Sequence, residues 1–202
     1  SSPPPFTECN MNNHLDQIKF QLTEASGMMH QMVEECSESI ADAAQIMISA
    51  LKDGNKILWC GNGGSAAQAQ HLSTEVIGGL RDHVRPGKAS ISLTTDSSFM
   101  TAWSNDVGFD TLFSRQVESL GKEGDVLIGI STSGNSENII RAIESAEKLG
   151  MKVIIFTGRD GGKLANSGDA AISIPSDDTQ HIQEGHITAG HIICELVEQA
   201  FS

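Results

Sequence analysis

The sequence predicts a three-layer α/β/α sandwich around a mostly parallel five-stranded sheet, preceded by N-terminal helices. Three observations carry that prediction. From residue 56 onward, short apolar runs alternate with longer segments of helical period, the pattern of strands joined by crossover helices. The runs KILWC (56–60), DVLIGIS (125–131) and KVIIFTG (152–158) are apolar through their centres, as strands covered on both faces are. Two of these runs end in small, polar turns that lead directly into a helix.

The elements follow in order. Residues 1–10 (SSPPPFTECN) contain three consecutive prolines and read as a flexible leader. Residues 11–54 read as N-terminal helices. Leu15, Ile18, Leu22, Met28, Met29, Met32 and Val33 fall near helical spacing, and Ile40, Ala43, Ala44, Met47 and Ile48 continue it. Ser37 or Ser39 can open the second helix, and Gly54-Asn55 stops it. The Met-rich stripe reads as core or as a helix–helix interface. Residues 55–202 form one unit with those helices. Strands are expected at 56–60, 89–93, 125–131, 152–158 and 170–175. Helices are expected from Ser65 to about Ile77, over 97–104 and 109–120, from about 137 to Leu149, and from Thr179 to about Ala200.

Composition narrows the function. A chain of 202 residues makes one domain whose core needs no disulfides. Twenty-six acids against 13 bases give a net charge of −13, which argues against general affinity for nucleic acid or for an anionic membrane. Aromatic residues are only 4%, so platforms for stacking single-stranded bases are not expected. No apolar run approaches the ~20 residues that span a bilayer, and no secretion-signal pattern is evident. Cys9, Cys36, Cys60 and Cys194 are scattered with no CxxC, which speaks against a disulfide framework or a cysteine zinc site. Cys60 and Cys194 lie in apolar stretches and read as core. Reduced thiols point to the cytoplasm.

The first polar turn is Cys60-Gly61-Asn62-Gly63-Gly64-Ser65, with a strand before it and a helix after it. Glycines let backbone approach a ligand, and a helix N-terminus offers unpaired N–H groups and partial positive charge. The loop is neither a Walker A motif, whose lysine is absent, nor GxGxxG. A tight turn with no ligand is the plain structural alternative. The second turn, Ser131-Thr132-Ser133-Gly134-Asn135-Ser136, crowds four hydroxyls into six residues. Ser136 is placed to cap the next helix, but capping needs only one hydroxyl. Neutral donors at the carboxyl ends of parallel strands suit the oxygens of a phosphate, so a phosphorylated small molecule is the expected ligand.

His71 and Glu75 are four apart on the helix after the first turn and share a face. A surface contact is the ordinary reading of such a pair. Here it lies two to three turns beyond the expected phosphate, within reach of a sugar chain leaving it. The final helix carries His181, Gln183, Glu184, His186 and His191. Gln183 and His191 are about 80° apart around an ideal helix, so both can face one cleft.

Together these residues resemble the sugar isomerase (SIS) domain family, and within it the phosphoheptose isomerase branch. The matching stretches are CGNGGSAAQAQHLSTE (60–75), SLTTD (92–96), Asn105-Asp106 with Gly108-Phe109, FSRQVESLG (113–121), GDVLIGISTSGNS (124–136), TGRDGG (157–162), and PSDDT with the IQE-x-HI run and His191. The resemblance runs from about residue 15 to the C-terminus. It implies a flavodoxin-like SIS sheet and an enzyme that interconverts D-sedoheptulose 7-phosphate and D-glycero-D-manno-heptose 7-phosphate. That reaction opens nucleotide-heptose synthesis for surface lipopolysaccharide. It also implies a cytoplasmic homotetramer with active sites between subunits and one zinc ion per subunit. Ser65, Ser131, Thr132, Ser133 and Ser136 match phosphate-binding positions. Asn62, Gly63, Gly64, Asp96 and Gln183 match positions lining the sugar site. Glu75 and His191 match the catalytic pair, and His71, Glu75, Gln183 and His191 match a zinc site. The acid–base and zinc-ligand roles compete for the same lone pairs. An arginine that the family carries shortly after the glutamate is displaced here, with Arg81 and Arg85 as substitutes. His181 stands where the family has another arginine. Two other readings stay open: a non-catalytic SIS module binding the replication initiator, and an SIS isomerase for another sugar phosphate.

Overall fold

The computed structural model describes residues 8–202, with side chains from residue 13 onward. Two helices lead the chain, α1 (Glu8–Glu35) and α2 (Ser37–Lys52), parted at Cys36. α1 starts at Glu8 rather than at residue 11, and the rest of the expected leader lies outside the described residues. The predicted apolar stripe of α1 divides. Met28 and Met32 are buried, whereas Leu15, Ile18, Leu22 and Val33 are at least half exposed. Helical spacing places these residues on related faces, but the buried contacts of α1 come from its C-terminal part, while further back Gln21 accepts a hydrogen bond from the Gln180 side chain at 3.2 Å.

The alternating part runs β1 (Ile57–Gly61), α3 (Gly64–Gly78), β2 (Ser90–Ser92), α4 (Ser97–Asp106), α5 (Leu112–Leu120), β3 (Val126–Ile130), α6 (Glu137–Lys148), β4 (Lys152–Gly158), β5 (Ala170–Ile174) and α7 (Thr179–Gln199). Short 3-10 turns stand at 109–111 and 162–164, so the helix expected over 109–120 is divided at its start. The five strands are all parallel, in the order β2-β1-β3-β4-β5. This is the three-layer α/β sandwich expected from the sequence.

Strand alternation sends side chains to two separate cores. Trp59, Ile128, Phe156 and Ile172 face α2, α3, α7 and the end of α1. Leu58, Cys60, Leu127, Val153 and Ile155 face α5 and α6. Every residue of β1 and β3 is buried, which explains their lack of polar alternation. Cys60 and Cys194 are buried free thiols, and burial pushes both up to about 12, so neither is a nucleophile.

The order of strands fixes where a ligand belongs. From β1 the chain moves to β2 on one side, and β3 then lies on the other. The crevice at such a reversal, at the carboxyl ends of the strands, is the binding edge of open α/β sheets. Gly61 pairs with Ile130, so the two polar turns leave the sheet side by side. At the opposite end, buried Asp125 accepts hydrogen bonds from the backbone N–H groups of Lys56 (3.0 Å) and Lys122 (2.9 Å) and pairs with the Lys56 ammonium.

Candidate active site

The first turn is held by an amide pair. Asn62 donates to Asn138 on α6 at 2.9 Å and accepts from it at 2.9 Å, with Asn138 buried. This reciprocal pair crosses the crevice and ties the turn after β1 to the helix after β3. Gly63 stands at the N-cap of α3 and has no side chain to cap it, so first-turn N–H groups stay available to a ligand. Ser65 is buried in the first turn of α3. The Gln183 amide lies against this turn, 2.6 Å from where a Cβ on Gly64 would stand. The Gln183 carbonyl accepts from Gln68 at 2.8 Å.

In the second turn the Ser131 and Ser136 hydroxyls pair with each other at 3.0 Å. Ser136 does occupy the N-cap position of α6, but its side chain makes no capping bond, because the hydroxyl is turned to Ser131. Thr132 and Ser133 line a neighbouring hollow of about 240 Å³ with Gly158, Arg159 and Thr179. The hydroxyls predicted as one group are therefore divided between the Ser131–Ser136 pair and this hollow, where Ser133 accepts from the Asn135 N–H at 3.2 Å. Gly134 has φ +64°, and an added Cβ would stand 1.9 Å from the Gly161 carbonyl oxygen, so this turn admits no larger residue.

The titratable cluster stands on α3 and α7. These helices come close because Gly190 has no side chain; a Cβ there would meet Leu72 at 2.4 Å. Beside that contact, His191 Nε2 lies 2.9 Å from His71 Nε2, and His71 Nε2 lies 3.2 Å from Glu75 Oε1. One ligand atom from each of the three residues lies within 4.8 Å of the others. Two imidazole nitrogens and one carboxylate oxygen form a donor set that suits zinc and leaves a further coordination position for solvent or substrate. The residues present therefore fit a zinc ion. The triplet is half open. On one side is a hollow of about 470 Å³ lined by Ala67, Gln70, His71, Thr74 and Glu75. On the other is one of about 390 Å³ lined by Leu80, Arg81, Thr188, His191, Ile192 and Glu195.

The remaining candidates separate clearly. Asp96 is exposed and caps α4, accepting from the Phe99 N–H at 2.9 Å. Arg81 pairs with Glu195 at 2.8 Å in the hollow beside His191. Arg85 is buried, and its guanidinium is turned inward onto the backbone carbonyls of Glu75 and Val76. His181 pairs with Glu184 at 2.8 Å, and that bond raises its pKa. His186, five residues before His191, is fully buried. Its Nε2 meets the Thr157 carbonyl at 2.8 Å, and burial lowers its pKa to about 4.

Residues 22–158 match the SIS domain family model, which is more than half of the chain. A phosphoheptose isomerase of Aquifex aeolicus is 51% identical over 185 residues, covering 92% of this chain and 96% of that protein. The chain belongs to the phosphoheptose isomerase family. A phosphoheptose isomerase of Nitratiruptor is 48% identical, covering 93% of this chain and all of that one. Solved phosphoheptose isomerases from Neisseria gonorrhoeae and Francisella tularensis superpose with TM-scores of 0.86 and 0.88, at 41% and 39% identity. Each comparison covers 92% of this chain and 98% of the other. Within this family the motif reading of the two turns was local and legible. Asn138 was missed, because its partner is 76 residues away and an asparagine in a helical stretch carries no signal of its own.

Proposed function

We propose that this chain is a phosphoheptose isomerase converting D-sedoheptulose 7-phosphate to D-glycero-D-manno-heptose 7-phosphate, the first step toward nucleotide-activated heptose for surface lipopolysaccharide. The observation that carries the reading is the His71–Glu75–His191 triplet, set on the helices that flank the two phosphate-suited turns. Ser65, Ser131, Thr132, Ser133 and Ser136, with the open N-termini of α3 and α6, hold the phosphate. Asn62, Gly63, Gly64, Asp96 and Gln183 line the path of the sugar.

Ketose-to-aldose isomerisation moves a proton from C1 to C2 through an ene-diol. Glu75 is the base that takes the C1 proton and returns it at C2. Its Oε1 faces His71, which leaves Oε2 for the proton. His191 supplies the proton that the C2 carbonyl oxygen takes up as charge develops there and accepts the one that the C1 hydroxyl releases as the aldehyde forms. His71, Glu75 and His191 would hold zinc, with Gln183, whose amide lies against the Gly64 turn, as the fourth ligand that the family resemblance implies, and the ion would supply Lewis-acid polarisation of the substrate oxygens. A module that only binds another protein has no use for this donor set.

The working form we propose is a cytoplasmic homotetramer. The exposed apolar residues Leu15, Ile18, Leu22 and Val33 on α1 support burial against another copy, as does the open face of the triplet. Buried free thiols support a reducing compartment. Among the described residues no helix is long and apolar enough to cross a membrane. The test is an assay on sedoheptulose 7-phosphate beside a panel of hexose and amino-sugar phosphates, with metal content measured before and after chelation. Selective turnover of the heptulose, lost on chelation and restored by zinc, is expected. Equal or faster turnover of another sugar phosphate would overturn the substrate.

A further inference from the structure

The triplet depends on two helices keeping their spacing, and a buried ion pair stands where they could part. α3 ends at Gly78 without a capping side chain of its own. Arg85, from the loop that follows, turns back into the interior with its side chain 2% exposed. Its Nη2 donates to the carbonyl of Glu75 at 2.9 Å and of Val76 at 3.0 Å, and its Nη1 donates to Pro86 at 3.1 Å. The guanidinium therefore grips the backbone of the residue whose side chain is the expected base.

The other half comes from α7. Glu198, buried, accepts from the N–H groups of Leu80 at 2.7 Å, Arg81 at 2.9 Å and Asp82 at 3.1 Å. Its Oε2 lies 3.5 Å from Arg85 Nε, an atom with no hydrogen-bond partner. Burial alone would raise the Glu198 carboxyl, but the three N–H groups and Arg85 outweigh it and hold it below the usual range. Glu198 is seven residues, two helical turns, beyond His191, and so projects from the same side of α7. One residue pair thus joins the α3 backbone at Glu75 to the helix that carries His191. The Arg81–Glu195 pair also joins this loop to α7, but it is exposed and solvent screens it.

We propose that Arg85 and Glu198 form a positioning clamp that sets the distance between Glu75 and His191, and through it both zinc affinity and turnover. The clamp touches neither substrate nor metal; it acts through the α3 backbone and the axis of α7. The inference rests on the proposed reading of the triplet as a zinc-binding catalytic centre. Partners behind a metal ligand change affinity or activity by roughly 10–100-fold when removed.

Two variants of the full chain test it. Arg85→Lys keeps the charge but loses the planar fork that spans two carbonyls. The double variant R85M/E198Q removes both charges together, so neither is left buried alone. The control is Asp125→Asn, which weakens a buried pair at the far end of the sheet. Zinc affinity is read by competition with a chromogenic chelator, beside kcat, KM and the thermal midpoint. Both clamp variants are expected to lose roughly tenfold in zinc affinity and in kcat, with KM little changed. Asp125→Asn is expected to lower the thermal midpoint and leave zinc affinity and kcat alone. Clamp variants with wild-type affinity and kcat, or with losses matched by Asp125→Asn, overturn the clamp. A wild-type chain that takes up no zinc overturns the metal reading instead, and kcat in the variants then decides the clamp.

Discussion

The turns at the carboxyl ends of β1 and β3 and the triplet between α3 and α7 are both polar, yet they are built in opposite ways. In the turns, side chains satisfy one another: Asn62 pairs with Asn138, and Ser131 pairs with Ser136. The helix N-termini behind them are left uncapped by side chains. In the triplet, His71, Glu75 and His191 converge on a shared point and stand between two open hollows. On the proposed reading, the first arrangement is preorganised to hold a charge without changing. The second leaves its titratable groups accessible, as the proton transfer we propose for them requires. α7 serves both regions. His186 lies buried under the strand end at Thr157, and His191 stands in the open cluster five residues later.

If the division between holding and reacting is real, mutations in the two regions separate kcat from KM. Glu75→Gln breaks the reacting region and should lower kcat by about a thousandfold with the fold intact, read by turnover beside circular dichroism. Normal turnover by this variant would remove Glu75 from its role. Next in size is an acid effect beneath the holding region. His186 has a folded pKa of about 4 against an ordinary value of 6.5, so the neutral ring is favoured by folding. Its contribution, about 3 kcal/mol, is complete above pH ~6.5 and is lost as pH falls toward ~4, because the unfolded chain takes up the proton first. Denaturation of His186→Gln across that range should show a shallower fall in stability than the wild type; parallel curves would sink the assignment.

Smaller effects sharpen the contrast. Ser131→Ala should raise KM roughly tenfold with kcat nearly unchanged, since a hydrogen bond to a charged group contributes about 1.5–3 kcal/mol. A fall in kcat alone would place Ser131 in the reacting region. Asn138→Ala strands the Asn62 amide and should destabilise the chain by about 1–3 kcal/mol, with a KM rise smaller than that of Ser131→Ala. Chemical denaturation and steady-state kinetics on the same preparation check both numbers.

Much of this was legible in sequence because it is local. The apolar centres of 57–61, 126–130 and 152–158 announce buried strands, and the polar turns after 61 and 130 announce a ligand edge. His71 and Glu75 share a helix face by spacing alone. Other features were not legible. Ser136 looked like a helix cap and bonds Ser131 instead. Arg85 looked available to a ligand and is buried against α3. Leu15, Ile18 and Leu22 have core-like spacing and stand exposed.

What the sequence by itself determined is the fold class, the order of its elements and the residue types at the turns. Periodicity and short-range bonding are set within a few residues along the chain. Only the tertiary structure decided which helices meet, and so which distant side chains share a site. His71 and His191 are 120 residues apart and Arg85 and Glu198 are 113 apart, and each pair exists because Gly190 lets α7 close on α3. Helical spacing shows which face is apolar, whereas packing chooses what that face will touch.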